Sequence, residues 1–376
     1  MPSRQTERFD RLIIGAGLFG LYAARLMAQR GMHVAILDAE DAPMMRASQI
    51  NQARVHNGYH YPRSLTTALT SVKYYDRFTR DYADCVNSTF TKIYAIARAQ
   101  SLISAAGFER FCQRAGVPCR AVDPGTWFRP DTVTSAYVTE EYSFDAGRLR
   151  TKMCAALADC PDVAWYLPAR IRQVERSESD FDITLVDGRR LAAEGILNAS
   201  YAGTNQVLRM IGEDPLPLKY ELCEVILTKV GPSLRDVGIT VMDGDYFSLM
   251  PYGHSGCHSL TAVNFTPHRT SRDVTPTFSC QQHNSNCNDT ALDNCAWCPQ
   301  QPATSWSFMH ELARRYLGSD HEILFSESLF SVKTVLTRAE IDDARPTLIY
   351  EHSSRPWVAT VLSGKIATIY DLEDVL

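Results

Sequence analysis

Apolar residues gather into short runs near the start of the chain. Phe9 to Ile14 and His33 to Leu37 read as buried strands, and Leu18 to Arg30 between them carries Leu21, Ala24 and Leu26 at helical spacing. Strand, helix, strand is a βαβ unit. Helical patterns recur from Leu65 to Arg80, from Asp145 to Leu157 and from Trp306 to Leu317. Ile171 to Val174 and Phe181 to Val186 flank a polar turn, as a hairpin does, and Gly195 to Asn198 is an apolar strand ending in small residues. Tyr220 to Lys229 and Tyr246 to Phe265, the latter interrupted at Met250 to Gly256, predict a mostly antiparallel sheet in the middle of the chain, and Trp357 to Leu362 a strand near its end.

The 376 residues, 45% of them hydrophobic, exceed what one core usually serves, so two packed regions are expected. The reading is an α/β, two-domain (α+β) chain. A Rossmann-like nucleotide-binding domain takes residues 1–80, 145–215 and 320–376, and an antiparallel substrate domain takes 81–144 and 216–319. A net charge of −5 with no run of like charges argues against nucleic acid and against an anionic membrane. The opening residues form neither a secretory signal nor a membrane span, which points to the cytoplasm.

Gly15, Gly17 and Gly20 stand between the first strand and the helix. The first permits a tight turn, the second lets backbone approach a pyrophosphate, and the third allows close helix packing, while the helix N-terminus offers free N–H groups to phosphate. Asp38 ends the second strand, where a carboxylate can hold a ribose hydroxyl. The pattern fits FAD or NAD equally.

The segment Ala47 to Ser64, ASQINQARVHNGYHYPRS, replaces the helix–strand repeat that an NAD dehydrogenase would place there. Through Asn51, His56, Gly58, Tyr61, Pro62 and Ser64 it resembles the D-amino-acid oxidase superfamily of flavoproteins, nearest in motif to its L-2-hydroxyglutarate dehydrogenase and glycine oxidase branches. Ile196 to Gly203, Ala344 to Ile349 and Val361 to Ile369 resemble the same family. The resemblance implies FAD as cofactor, with Ser48, Gln49, Gln52, Arg54, Val55 and His56 along it, Ala199 and Gly203 at a second pass, and Gly364, Lys365 and Ile366 at the flavin's pyrimidine edge. It further implies that Arg345 grips a substrate carboxylate. Lys365 has a physical rationale as well, since a cation there stabilises charge on reduced flavin.

Tyr246, Tyr252, His254, His258 and His268 cluster in the central strands, and Tyr252 and His258 are candidate pocket residues beside His56. Cys280, Cys287, Cys295 and Cys298 lie within a polar insertion at 273–305. Their spacing suits a structural zinc site, with a disulfide pair, an iron–sulfur cluster or unlinked thiols as alternatives. The expected activity is hydride removal from the carbon bearing an amine or hydroxyl in a small carboxylated substrate, with oxygen or another acceptor reoxidising the flavin. An NAD-dependent dehydrogenase and a non-turnover binding partner in a biosynthetic complex are the rivals.

Overall fold

A computed structural model describes residues 6–244, 246–337 and 347–376. Two sheets dominate. The first has six strands in the order Val163–Tyr166, Val34–Leu37, Arg11–Ile14, Gly195–Asn198, Trp357–Leu362, Leu348–Ser354. All neighbours are parallel except the last pair. Its inner strands are mostly apolar because both faces are covered: Leu12, Val34, Ala35, Ile36, Ile196 and Val358 have no solvent exposure. The helix Leu18–Gln29 packs on one face. The other meets a four-stranded sheet, Glu7–Phe9, Arg190–Ala193, Phe181–Leu185 and Ile171–Arg176, which contains the predicted hairpin. The expected first strand is therefore two, broken at Asp10, with Phe9 paired to Ala193 and Arg11 to Val34.

The second sheet has nine strands and is antiparallel except where Val237–Met242 runs parallel to Thr91–Ala97. Its longest ladder joins Leu218–Val230 to Ile323–Leu336. That ladder shifts the expected domain division: residues 323–336 belong to the large sheet, not to the nucleotide-binding unit. Helix Trp306–Tyr316 covers the face of Phe247–Pro251 and His258–Ala262 with Met309 and Ala313. Among the described residues no helix is long and apolar enough to cross a membrane.

Candidate active site

A groove of about 1000 Å³ opens over the ends of Arg11–Ile14, Val34–Leu37 and Gly195–Asn198 and continues beneath the large sheet. This is the upper end of the size range of small-molecule sites. Its floor is the glycine turn. Gly15 has φ +113°, and a Cβ there would stand 2.6 Å from the carbonyl oxygen of Ala199. At Gly20 a Cβ would stand 1.9 Å from the Gly15 oxygen, so the helix seats directly on the turn. Ser48 Oγ accepts from Leu18 N at 3.0 Å, and the Oδ atoms of Asp38 accept from Ala16 N at 2.7 Å and Glu40 N at 3.0 Å. Burial raises the Asp38 pKa, opposed by these two N–H donors. A carboxylate has lone pairs for more than two donors, so Asp38 still offers a place for a ribose hydroxyl.

At the far end the groove is lined by Asn51, Gln52, Arg54, His56, His60 and Tyr61 on one side and by Ser363 to Ile366 on the other. Asn51 Oδ1 accepts from Ala53 N at 2.7 Å, folding the segment back on itself with Ala53 at φ +52°. Met44 and Tyr201, both lining the groove, also have positive φ, a conformation costing about 1–2 kcal/mol for a residue with a side chain. The expectation for Lys365 is modified. The residue lines the groove, yet its ammonium donates to Thr67 O at 3.1 Å and Ser71 Oγ at 2.6 Å and lies 4.2 Å from the centre of the Tyr61 ring. It ties the helix Leu65–Asp81 to the site.

Behind His56 lies a group of charges that pattern reading missed. Residues Arg54–Val55 pair with Tyr142–Phe144, and this short ladder brings the neighbouring Glu141 against the segment. The Arg54 and Glu141 side chains are 1% and 0% exposed, with Nε 3.2 Å from Oε1. Tyr94 donates to Glu141 at 3.0 Å, Arg54 donates to Thr240 at 3.3 Å and to Ser248, and His56 Nδ1 lies 3.9 Å from Glu141 Oε2. Lys92 is buried alongside, its Nζ 2.6 Å from Thr240 Oγ1 and 2.9 Å from Met250 Sδ. Burial, then the Arg54 charge, pulls the Lys92 pKa well below its ordinary value.

The structure brings Gly15, Gly17, Asp38, Ser48, Gln52, Arg54, His56, Ala199, Gly203, Gly364, Lys365 and Ile366 together along the groove. Gly20 packs under it. Gln49 and Val55 are not in the lining: the Gln49 carbonyl accepts from Tyr252, and Val55, alternating with Arg54 on an extended segment, enters the core. Tyr252 and His258 also stand outside the lining. Tyr252 OH props Gln49 at 2.7 Å, while His258 is locked in the large sheet with Nε2 3.1 Å from Val237 O, its pKa lowered by burial to about 4. Arg345 lies outside the described residues.

The zinc expectation is corrected. Among the described residues no group of three or more His, Cys, Asp or Glu side chains is placed to hold a metal ion. The four sulfurs are neighbours with different partners. Gln281 and Asn284 amides reach Cys287 and Cys298, Cys280 and Cys295 pack beside Phe278, and Cys295 also lines the groove. All four are free thiols.

A parallel nucleotide sheet with a glycine turn at its groove, roofed by a large, mostly antiparallel sheet, defines a dinucleotide-binding enzyme fold of the flavoprotein kind. The family model DAO, FAD dependent oxidoreductase, matches residues 10–368, and the chain belongs to that family. The glycine cradle and the second lining at Asn51 to Tyr61 and Ser363 to Ile366 fit FAD. The chain is 26% identical over 257 residues to the FAD-dependent monooxygenase FPY4 of Fusarium mangiferae, across 68% of this chain and 64% of that one, less than two thirds of the relative's length. Over 67 residues, 18% of this chain and 14% of the relative, it is 45% identical to the mitochondrial L-2-hydroxyglutarate dehydrogenase of Arabidopsis thaliana. Its fold matches the FAD-bound L-alpha-glycerophosphate oxidase of Mycoplasma pneumoniae with TM-score 0.71, 10% identity, and coverage of 98% and 94% of the two chains.

Proposed function

We propose that the protein oxidises a C–O or C–N bond in a small, carboxylated hydroxy or amino acid, with oxygen or another acceptor regenerating the cofactor. The observation that carries this reading is His56, which lines the groove in front of a buried carboxylate. Bound FAD supplies the hydride acceptor. The chain's own task is to orient the substrate and take a proton from the hydroxyl or ammonium group as hydride leaves. Glu141, which also faces Arg54 and Tyr94, favours the imidazolium that His56 becomes on accepting that proton. Arg345 is the proposed carboxylate anchor.

The test is anaerobic mixing of FAD-loaded protein with panels of 2-hydroxy and 2-amino acids, read as loss of flavin absorbance. At least one substrate should bleach it. His56→Asn should slow bleaching by about 10²–10⁴-fold with flavin still bound. Bleaching at the wild-type rate in His56→Asn would remove the proposed base, and flavin left oxidised by every compound would favour a binding protein without turnover.

A further inference from the structure

The cysteine-bearing insertion bonds to the nucleotide side as well as to the roof it grows from. Its residues Asp289 to Cys295 line the groove. Asn294, 6% exposed, donates from Nδ2 to Glu40 Oε2 at 3.0 Å and to Met45 O at 3.3 Å. Arg46, paired with Glu40 at 2.6 Å, donates to Leu292 O at 3.0 Å. On the opposite bank Gln206 donates to Asn288 O at 3.1 Å, and the buried Asn205 donates to Val274 O at 2.7 Å. Glu40 and Arg46 follow the strand Val34–Leu37, and Gln206 lies in the helix Thr204–Ile211, which follows Gly195–Asn198. In the sheet those two strands flank Arg11–Ile14. A segment fastened to both banks crosses above the end of the middle strand, where the glycine turn lies.

We infer that residues 288–295 form a strap over the pyrophosphate and ADP half of the cofactor, which must lift for FAD to enter or leave. Asn294 and Gln206 are its two latches, and the Arg46–Glu40 pair is the post to which one latch is tied. This rests on the FAD reading of the groove. Cys295 lies within the strap, and Cys280, Cys287 and Cys298 lie in the segments on either side of it. Cys295 lines the groove, its thiol pushed up to about 12 by burial and then by Cys287, Cys298 and Cys280. A thiol so placed is unreactive while the strap is down, because the thiolate is the nucleophile. It therefore reports lifting.

Two measurements on the full-length protein test this. FAD release is followed by flavin fluorescence after dilution of wild type, Asn294→Ala and Gln206→Ala. Each variant should release FAD at least about tenfold faster, as loss of a buried hydrogen bond to a charged or backbone acceptor predicts. In wild type, alkylation of Cys295 by N-ethylmaleimide, counted by peptide mass spectrometry, should slow at least about fivefold when FAD is bound, with half-buried Cys160, remote from the strap, as an internal reference. Unchanged release in both variants, or equal Cys295 labelling with and without bound FAD, overturns the strap while leaving the FAD reading intact. Failure to take up FAD at all overturns both.

Discussion

Glu141→Gln is the substitution from which the most can be computed. It removes the carboxylate facing Arg54 and Lys92 and leaves the guanidinium buried with the hydroxyls of Tyr94, Thr240 and Ser248, the His60 ring nitrogen and an uncharged amide. At the observed 3.2 Å separation and an effective dielectric of 20, the lost attraction is about 5 kcal/mol. Removal of one partner from a buried pair typically costs about 3–5 kcal/mol, so the two routes agree. Urea unfolding, followed by both tryptophan fluorescence and circular dichroism, should show a loss of about 3–5 kcal/mol. The double variant Arg54→Met with Glu141→Leu should recover most of it, because apolar side chains need no compensation at a dry site. A single variant within about 1 kcal/mol of wild type, or a double variant worse than the single, would show that the pair is not a desolvated one and would sink the reasoning.

Gly15→Ala should weaken FAD binding at least tenfold by calorimetric titration, through positive φ and the contact with Ala199, whereas Gly31→Ala, also at positive φ but with nothing within 4 Å, should cost about 1 kcal/mol of stability and no affinity. Equal affinity losses in the two would remove the cradle argument. His258 is neutral in the fold down to about pH 4 and protonates near 6.5 when unfolded, so the unfolded state binds more protons between those values. Stability is then full above pH 6.5 and falls as pH drops toward 4, by about 3 kcal/mol in all for a value near 4. His258→Gln should flatten that part of the pH profile in thermal unfolding.

The glycine turn was legible because each of its constraints is local. Gly15 needs positive φ, Gly20 needs no Cβ, and both stand at fixed offsets from an apolar strand. Glu141 was not, because its meaning comes from Arg54, far away in sequence, and from a two-residue ladder too short to leave a pattern. The strand Ile323–Leu336 was missed for a related reason: Ser326 and Glu327 interrupt its apolar run, and what holds it is thirteen pairings to a distant strand. His258 looked chemical and is structural, since a strand with all five residues buried leaves its imidazole no route to the groove. The four cysteines were close in space as their spacing suggested. What spacing could not convey is where each sulfur points, and that depends on Gln281, Asn284 and Phe278.

The sheet order has a consequence for biosynthesis. Arg11–Ile14 is complete on one side only when Gly195–Asn198 arrives, and Gly195–Asn198 only when Trp357–Leu362 does. The lining at Gly364 to Ile366 comes later still. At about 5–20 residues per second, roughly 20–70 s separate translation of Gly20 from that of Ile366. For that interval the nascent nucleotide unit has its apolar strands, its glycine turn and no finished groove. Cofactor loading is thereby postponed until the segment through Ile366 has been made, and the early βαβ unit stays without its groove for that interval.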